Sequence, residues 1–128
     1  MIYHIKKDFA MNTNFEAIFY DLPDGSEPAA DFIDSQPKKM AAKILWTVSL
    51  LEDAGPSLRM PYSEHLKDEI FQLRIQVGSD ITRVLYFFMV GKKAVLTHGF
   101  VKKTQDTPPS EIEKAIKYRE EYLSRKKK

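Results

Sequence analysis

Basic side chains interrupt strand-like segments in the second half of the chain, at positions where a sheet normally carries apolar residues. Arg74 lies within the alternating run 70–77, and Arg83 follows it across a predicted hairpin turn. A third strand-like segment ends at Lys102 and is followed by Lys103. Cationic side chains are costly inside a sheet unless they are paired or functional. Their spacing therefore indicates a phosphate-binding surface on an open sheet face, with Arg as a bidentate ligand and Lys as a point charge.

A histidine and two aromatic side chains accompany these cations. His98, Phe100 and Lys102 share one side of the last strand-like segment, because side chains alternate along a strand. Histidine titrates near neutral pH and is suited to proton transfer. Phe100 or Tyr86 offers a platform for a nucleobase, although a regular strand places Tyr86 on the opposite face from Arg83.

The same residues also have a purely structural interpretation, which the sequence leaves open. Arg74 can pair with Glu69 or Asp68 and only brace the sheet. Tyr86 and His98 can be buried residues whose polar atoms are hydrogen-bonded. Lys102 and Lys103 can be exposed charges at the end of a strand.

Other common chemistries lack support in the sequence. The three histidines are scattered and form no H-x-x-x-H pair, so we expect no metal site. The glycine-rich phosphate and dinucleotide motifs and the G-x-S-x-G motif are also missing, and we expect no cofactor. The lack of cysteine excludes thiolate nucleophiles and disulfides and fits a reducing cytoplasm.

Length and composition indicate one globular domain. The chain has 128 residues, of which 43% are hydrophobic and 30% are charged, and this balance excludes disorder of the whole chain. No apolar run approaches the roughly 18–20 residues of a membrane span, and we expect no secretory signal at the start.

The small net charge of +2 conceals an asymmetry between the two halves. Residues 1–58 carry five lysines against nine acidic residues, and residues 59–128 carry fifteen basic residues against nine acidic ones. A basic half favours a polyanionic partner such as RNA, DNA or the ribosome. Solvated lysines on exposed faces are the alternative explanation.

The coarse pattern of elements predicts an α+β domain with helices on one face of a mostly antiparallel sheet. Hydrophobic periodicity and turn residues predict a strand at 15–20, helices at 27–35 and 38–53, a three-strand antiparallel meander at 70–77, 81–90 and 94–101, and a C-terminal helix from 108 or 109. We expect one domain at 15–124, a weakly ordered extension at 1–14 and a frayed basic tail at 125–128.

Three segments carry a resemblance to a known toxin family. They are HLKDEIFQLR at 65–74, TRVLY at 82–86 and LTHGFVKKTQDTP at 96–108. These segments resemble the RelE/ParE toxin superfamily, and more narrowly its HigB-like branch, which includes phage-derived proteins. The resemblance covers roughly residues 15–123, and the third segment is its most specific part. It implies a RelE-like fold.

The resemblance further implies a toxin of a type II toxin–antitoxin pair that enters the ribosomal A site and cuts mRNA. The implied reaction is a metal-free attack of a ribose 2′-hydroxyl on the adjacent phosphate. By position, Arg74 and Arg83 are the implied phosphate stabilisers, and Lys102 or His98 is the implied proton-transfer group. The residues expected to contact the substrate are Tyr86, Phe100, Lys103, His65 and Lys67.

The implied partners are mRNA on the ribosome and a cognate HigA-like antitoxin with a helix-turn-helix part. Operator DNA is expected to be contacted only through the antitoxin, and no membrane is involved. Two other functions remain open. One is a ParE-like toxin that inhibits DNA gyrase and is not a nuclease. The other is an inactive phage-derived regulatory module that acts with its partner as a DNA-bound corepressor.

Overall fold

A computed structural model describes residues 15–126 of the chain. Its elements in chain order are β1 (Glu16–Phe19), α1 (Pro28–Asp34), α2 (Lys38–Ala54), a 3-10 turn (Gly55–Ser57), β2 (Ser63–Lys67), β3 (Ile70–Val77), β4 (Asp80–Met89), β5 (Lys93–Val101) and α3 (Pro109–Lys126). The predicted α+β class is confirmed. The five strands form one mixed sheet in the order β1-β5-β4-β3-β2, so β4 is its central strand.

The antiparallel meander has four strands, β2 to β5, and the prediction of three strands was wrong. The missed strand is β2, which among the described strands is hydrogen-bonded only to β3 and leaves most of its residues exposed. An edge strand of this kind carries little of the apolar alternation that identifies a strand from sequence. At the other edge, β1 pairs in parallel with β5.

Helices cover both faces of the sheet, so the prediction that they lie on one face was also wrong. Helices α1 and α2 pack on one face against a core that includes Val84 and Tyr86, and α3 packs on the other against Leu85 and Phe87. All four residues lie in β4. A strand that is apolar on both sides needs cover on both sides.

Helix α2 buries against the sheet an apolar stripe with the spacing from which the helix at 38–53 was predicted. The side chains of this stripe are all buried, and they belong to Met40, Ile44, Val48 and Leu51. The helix ends at Ala54, and Gly55 follows with a positive φ of 55°, a conformation that glycine adopts readily. Helix α1 packs so closely on β5 that a Cβ at Gly99 would lie 2.3 Å from Phe32.

A bulge in β5 determines which residues of that strand face α3. Leu85 pairs with His98 and Tyr86 pairs with Leu96, so Thr97 is the extra residue between them. His98 then lies beside Leu85, and Phe100 lies beside Arg83, on the face that α3 partly covers.

The ends of the predicted domain are only partly described. The predicted extension at 1–14 lies outside the described residues, as do residues 127 and 128. Arg125, expected in a frayed tail, instead belongs to α3, where its Nε lies 2.7 Å from Glu121 Oε2. Within 15–126, no helix combines the length and the apolar character needed to cross a membrane.

Candidate functional site

A cavity of about 310 Å³ lies on the α3 side of the sheet, between β2, β3 and the loop that leads into α3. We call it the sheet cavity. The polar and charged residues that line it are Glu64, Gln72, Arg74, Lys102, Gln105, Asp106 and Thr107. Antiparallel pairing explains part of this grouping, because Glu64 lies opposite Gln72 in β2 and β3. The segment after β5 contributes the rest.

Arg74 and Arg83 form a directly opposed pair on β3 and β4. Arg74 is partly exposed, and its Nη1 lies 3.0 Å from Glu64 Oε1. Arg83 is only 4% exposed; its Nη1 donates to the Thr82 carbonyl oxygen at 3.0 Å. Its Nε has no hydrogen-bond partner in the part of the chain that the structure describes.

The environment of Arg83 disfavours its positive charge. Burial lowers the pKa of its guanidinium, the nearby Arg74 lowers it further, and Glu64 acts in the opposite direction. An Arg side chain nevertheless remains protonated at neutral pH. The pair is therefore one salt-bridged cation beside a buried cation that the residues of 15–126 do not neutralise.

Gln72 connects the two walls of the sheet cavity. Its side chain is buried, and its Nε2 donates to Glu64 Oε1 at 2.9 Å. On the other wall the Thr107 hydroxyl donates to Gln72 Oε1 at 2.6 Å. The bond from Thr107 to Gln72 connects the loop before α3 to β3. The bond from Gln72 to Glu64 orients the carboxylate that also contacts Arg74.

Lys102 enters the cavity from the end of β5. Its backbone N–H donates to the Ile81 carbonyl oxygen at 2.8 Å, and its ammonium donates to the Gln105 carbonyl oxygen. The side chain is half-buried and lines the sheet cavity. Lys103 is exposed and lines a neighbouring shallow cavity together with Lys102 and Thr104.

His98 is 4% exposed and joins β5 to α3. Its Nε2 lies 2.9 Å from Glu111 Oε1, and its Nδ1 lies 3.1 Å from Thr97 Oγ1. Burial lowers the pKa of the imidazole below its usual 6.5, and the hydrogen bond that His98 donates to the Glu111 carboxylate only partly opposes this effect. His98 is not among the residues that line the sheet cavity.

Tyr86 lies on the opposite face of the sheet from Arg83, as alternation predicts. Its hydroxyl is 2.6 Å from Ser63 Oγ in the core beneath α2. Burial raises the pKa of this phenol to about 12. The ring is stacked on Phe71 and has no exposed face for a base.

The remaining predicted contact residues are dispersed. Phe100 packs against the core cluster under α3. His65 is exposed, with its Nε2 2.6 Å from the Asp68 carbonyl oxygen and its ring against Phe71. Lys67 is exposed at the end of β2 and does not line the sheet cavity. Of the predicted site residues, Arg74 and Lys102 therefore meet at the cavity, with Arg83 buried beside Arg74.

Sequence reasoning missed three residues of the site. Glu64 lies on the strand that was not predicted, and Thr107 lies in the loop before α3. Gln72 could have been recognised from the sequence, because it shares the Arg74 side of the alternation in β3. The structure shows that it is buried there. A buried amide in a strand has to find hydrogen-bond partners on neighbouring segments.

A family comparison decides the relationship of the chain to known proteins. The sequence profile of the family described as phage derived protein Gp49-like (DUF891) matches residues 31–120, which is more than half of the chain. The chain belongs to this family. The Gp49-like family is of the RelE toxin type, so the predicted resemblance is confirmed at the level of a phage-derived, toxin-like protein.

The Gp49-like match includes the residues of the sheet cavity. It runs from α1 into α3 and therefore spans β2 to β5 and the loop that carries Thr107. No curated protein is similar enough to be matched to the chain.

Proposed function

We propose that this Gp49-like protein is a HigB-like toxin of a type II toxin–antitoxin pair, and that it cleaves mRNA on the ribosome. The observation that supports the proposal most directly is the buried Arg83 guanidinium, which lies opposite Arg74 and forms no salt bridge with residues 15–126. A buried cation without a counter-ion is strongly disfavoured. An RNA phosphate would supply that counter-ion.

The reaction we propose is attack of a ribose 2′-oxygen on the adjacent phosphorus. A bond forms between the 2′-oxygen and phosphorus, and the bond from phosphorus to the 5′-oxygen of the next nucleotide breaks. The products are a 2′,3′-cyclic phosphate and a 5′-hydroxyl end. The step requires a base for the 2′-hydroxyl proton, cations for the crowded phosphorane and an acid for the departing 5′-oxygen.

Residues of the sheet cavity, together with the neighbouring Arg83, fill these roles. Arg74 and Arg83 stabilise the phosphorane, because both guanidinium groups belong to the same cross-strand pair. Lys102 donates the proton to the 5′-oxygen; its ammonium has three N–H donors, of which Gln105 accepts one. His98 is a weaker candidate, because it is buried and bonded to Glu111.

Glu64 is the proposed base. Its carboxylate lines the cavity, it is held by Gln72 and Arg74, and its side chain is 44% exposed. It is therefore oriented and accessible to a ribose hydroxyl, and geometry is the first requirement for a general base. The 2′-hydroxyl proton passes to this carboxylate as the 2′-oxygen attacks.

The proposal includes cellular partners. The toxin would act in the cytoplasm, where it meets translating ribosomes, and a HigA-like helix-turn-helix antitoxin would neutralise it. Operator DNA would be contacted through the antitoxin. The basic second half of the chain supports a polyanionic substrate.

The test is cleavage of a defined mRNA in a reconstituted translation reaction, with 5′ ends mapped by primer extension. We expect cleavage only when ribosomes translate the message, and arrest of growth when the chain is produced in bacterial cells. Glu64→Gln should lower the cleavage rate by roughly 10²- to 10⁴-fold, the usual contribution of a general base. Lys117→Ala, an exposed lysine on α3, is the matched control and should cleave normally.

Other outcomes would contradict the proposal. An intact message and normal growth would exclude the nuclease function. Inhibition of gyrase supercoiling without cleavage would identify a ParE-like toxin. If Arg83→Ala and the unchanged protein have the same effect on bacterial growth, and antitoxin-dependent operator binding is retained, the protein is an inactive regulatory module.

A further inference from the structure

A second cavity, of about 200 Å³, lies between α2 and the end of β3 that is not paired with β2. We call it the edge cavity. Its lining includes Lys43, Trp46, Tyr62, Arg74 and Arg83. Arg74 lines both the edge cavity and the sheet cavity, so the two are adjacent across β3. The proposed cleavage mechanism uses Arg74 and Arg83 but gives no role to Lys43, Trp46 and Tyr62.

Two exposed aromatic side chains form one wall of the edge cavity. Trp46 is 49% exposed and Tyr62 is 38% exposed, although both are large side chains that usually avoid water. Their ring centroids lie 5.9 Å apart, with the planes at 74°. This mutual contact orients the rings and leaves much of their surface accessible.

Every charged side chain that residues 15–126 contribute to the lining of the edge cavity is cationic. Lys43 is held in place because its ammonium donates to the Gln76 carbonyl oxygen at 2.7 Å. Arg74 and Arg83 bring two more positive charges from the sheet. Exposed aromatic rings beside cations match a nucleotide, whose base stacks on the rings and whose phosphate meets the cations.

We propose that the edge cavity binds the base of a nucleotide that neighbours the scissile phosphate in single-stranded RNA. This inference rests on the proposed function, because it extends the RNA path from the sheet cavity across Arg74. The cavity is smaller than the roughly 300 Å³ at which pockets for drug-sized molecules begin. Its size favours one planar base over a folded segment of a protein partner.

The chain contains a single tryptophan, so the fluorescence of Trp46 reports on this cavity alone. The probe is a 2′-O-methyl hexanucleotide, which lacks the attacking hydroxyl and so separates binding from cleavage. Its binding is measured independently from the anisotropy of a 5′ label. We expect saturable quenching of Trp46 by this probe and little quenching by an abasic strand of equal length and charge.

Substitutions of Trp46 test how much base stacking contributes to the affinity for the hexanucleotide. Trp46→Ala should weaken binding of the hexanucleotide roughly five- to tenfold, because stacking contributes measurably per base. Trp46→Phe retains a ring and should restore most of the affinity, with the fold checked by thermal unfolding. Val90→Ala, at an exposed apolar side chain in the β4–β5 turn, is the control and should bind normally.

Equal quenching by the abasic strand, or unchanged affinity of Trp46→Ala, would overturn the inference. So would a Trp46→Ala variant that binds RNA normally but escapes its antitoxin, because the aromatic pair would then be a protein-docking surface. Quenching and stacking without any mRNA cleavage would leave this subsite intact and refute the proposed nuclease function instead.

Discussion

Arg74 and Arg83 lie directly opposite each other on β3 and β4, and only Arg74 has an acidic partner among the described residues. Like charges at opposed positions of neighbouring strands destabilise a sheet. The fold therefore tolerates an unfavourable arrangement at the position where we propose that a phosphate binds. A bound anion would relieve this repulsion, so affinity for RNA and stability of the free protein should change in opposite directions.

Arg83→Met tests this relationship. The substitution removes a buried charge and keeps a long side chain, so we expect the free energy of unfolding to rise by about 1 kcal/mol. RNA binding and cleavage should be lost in the same variant. Urea unfolding and the hexanucleotide assay measure the two effects. A variant that is both less stable and fully active would contradict the argument.

Arg74 should contribute to the salt dependence of RNA binding. On a single strand, each neutralised phosphate contributes about 0.7 to the slope of log affinity against log salt concentration. Arg74→Gln should therefore reduce the magnitude of that slope by about 0.7. Affinities measured across a series of salt concentrations give the slope. Lys117→Gln removes the same charge from α3 and should leave the slope unchanged.

His98 should make stability depend on pH. Burial holds the pKa of the folded-state imidazole below its usual 6.5, so the unfolded chain binds a proton more readily. The contribution of neutral His98 to the free energy of unfolding is complete above about pH 6.5. It is lost as the pH falls through the folded-state pKa. Urea unfolding of the protein between pH 8 and pH 5 should show this decrease.

The comparison variant for this prediction is His98→Gln. Glutamine retains a donor for Glu111 and does not titrate, so the decrease contributed by position 98 should disappear. If the free energy of unfolding falls equally with pH in both proteins, the pH dependence belongs to other groups. Cleavage by the variant should persist, since we assign the proton transfers to Glu64 and Lys102.

Tyr86 should matter for stability and little for activity. Tyr86→Phe removes the hydroxyl that lies 2.6 Å from Ser63 Oγ, and we expect the free energy of unfolding to fall by about 1 kcal/mol. The double variant with Ser63→Ala should regain part of this loss, because no buried hydroxyl is then left unpaired. A loss of cleavage in a fully stable Tyr86→Phe protein would instead support a role at the substrate.

The local elements of the fold could be read from the sequence. The alternation in β3, the apolar stripe of α2 and the turns after Val77 and Val90 predicted these elements within a few residues. Each of these signals arises from side chains that are close along the chain, because strand and helix periods are properties of short segments. The same alternation indicated that Arg74 lies on a different side of the sheet from the Leu73 core position.

Contacts between distant segments were decided only by the tertiary structure. Thr107 bonds to Gln72 across 35 residues, and Glu64 reaches Arg74 only because an inconspicuous edge strand pairs with β3. The residue type makes His98 a candidate for proton transfer, and only the packing of α3 shows that it is buried against Glu111. Sequence periodicity determines which way a side chain points from its own strand, whereas its partners and its exposure depend on the packing of segments that are far apart in the chain.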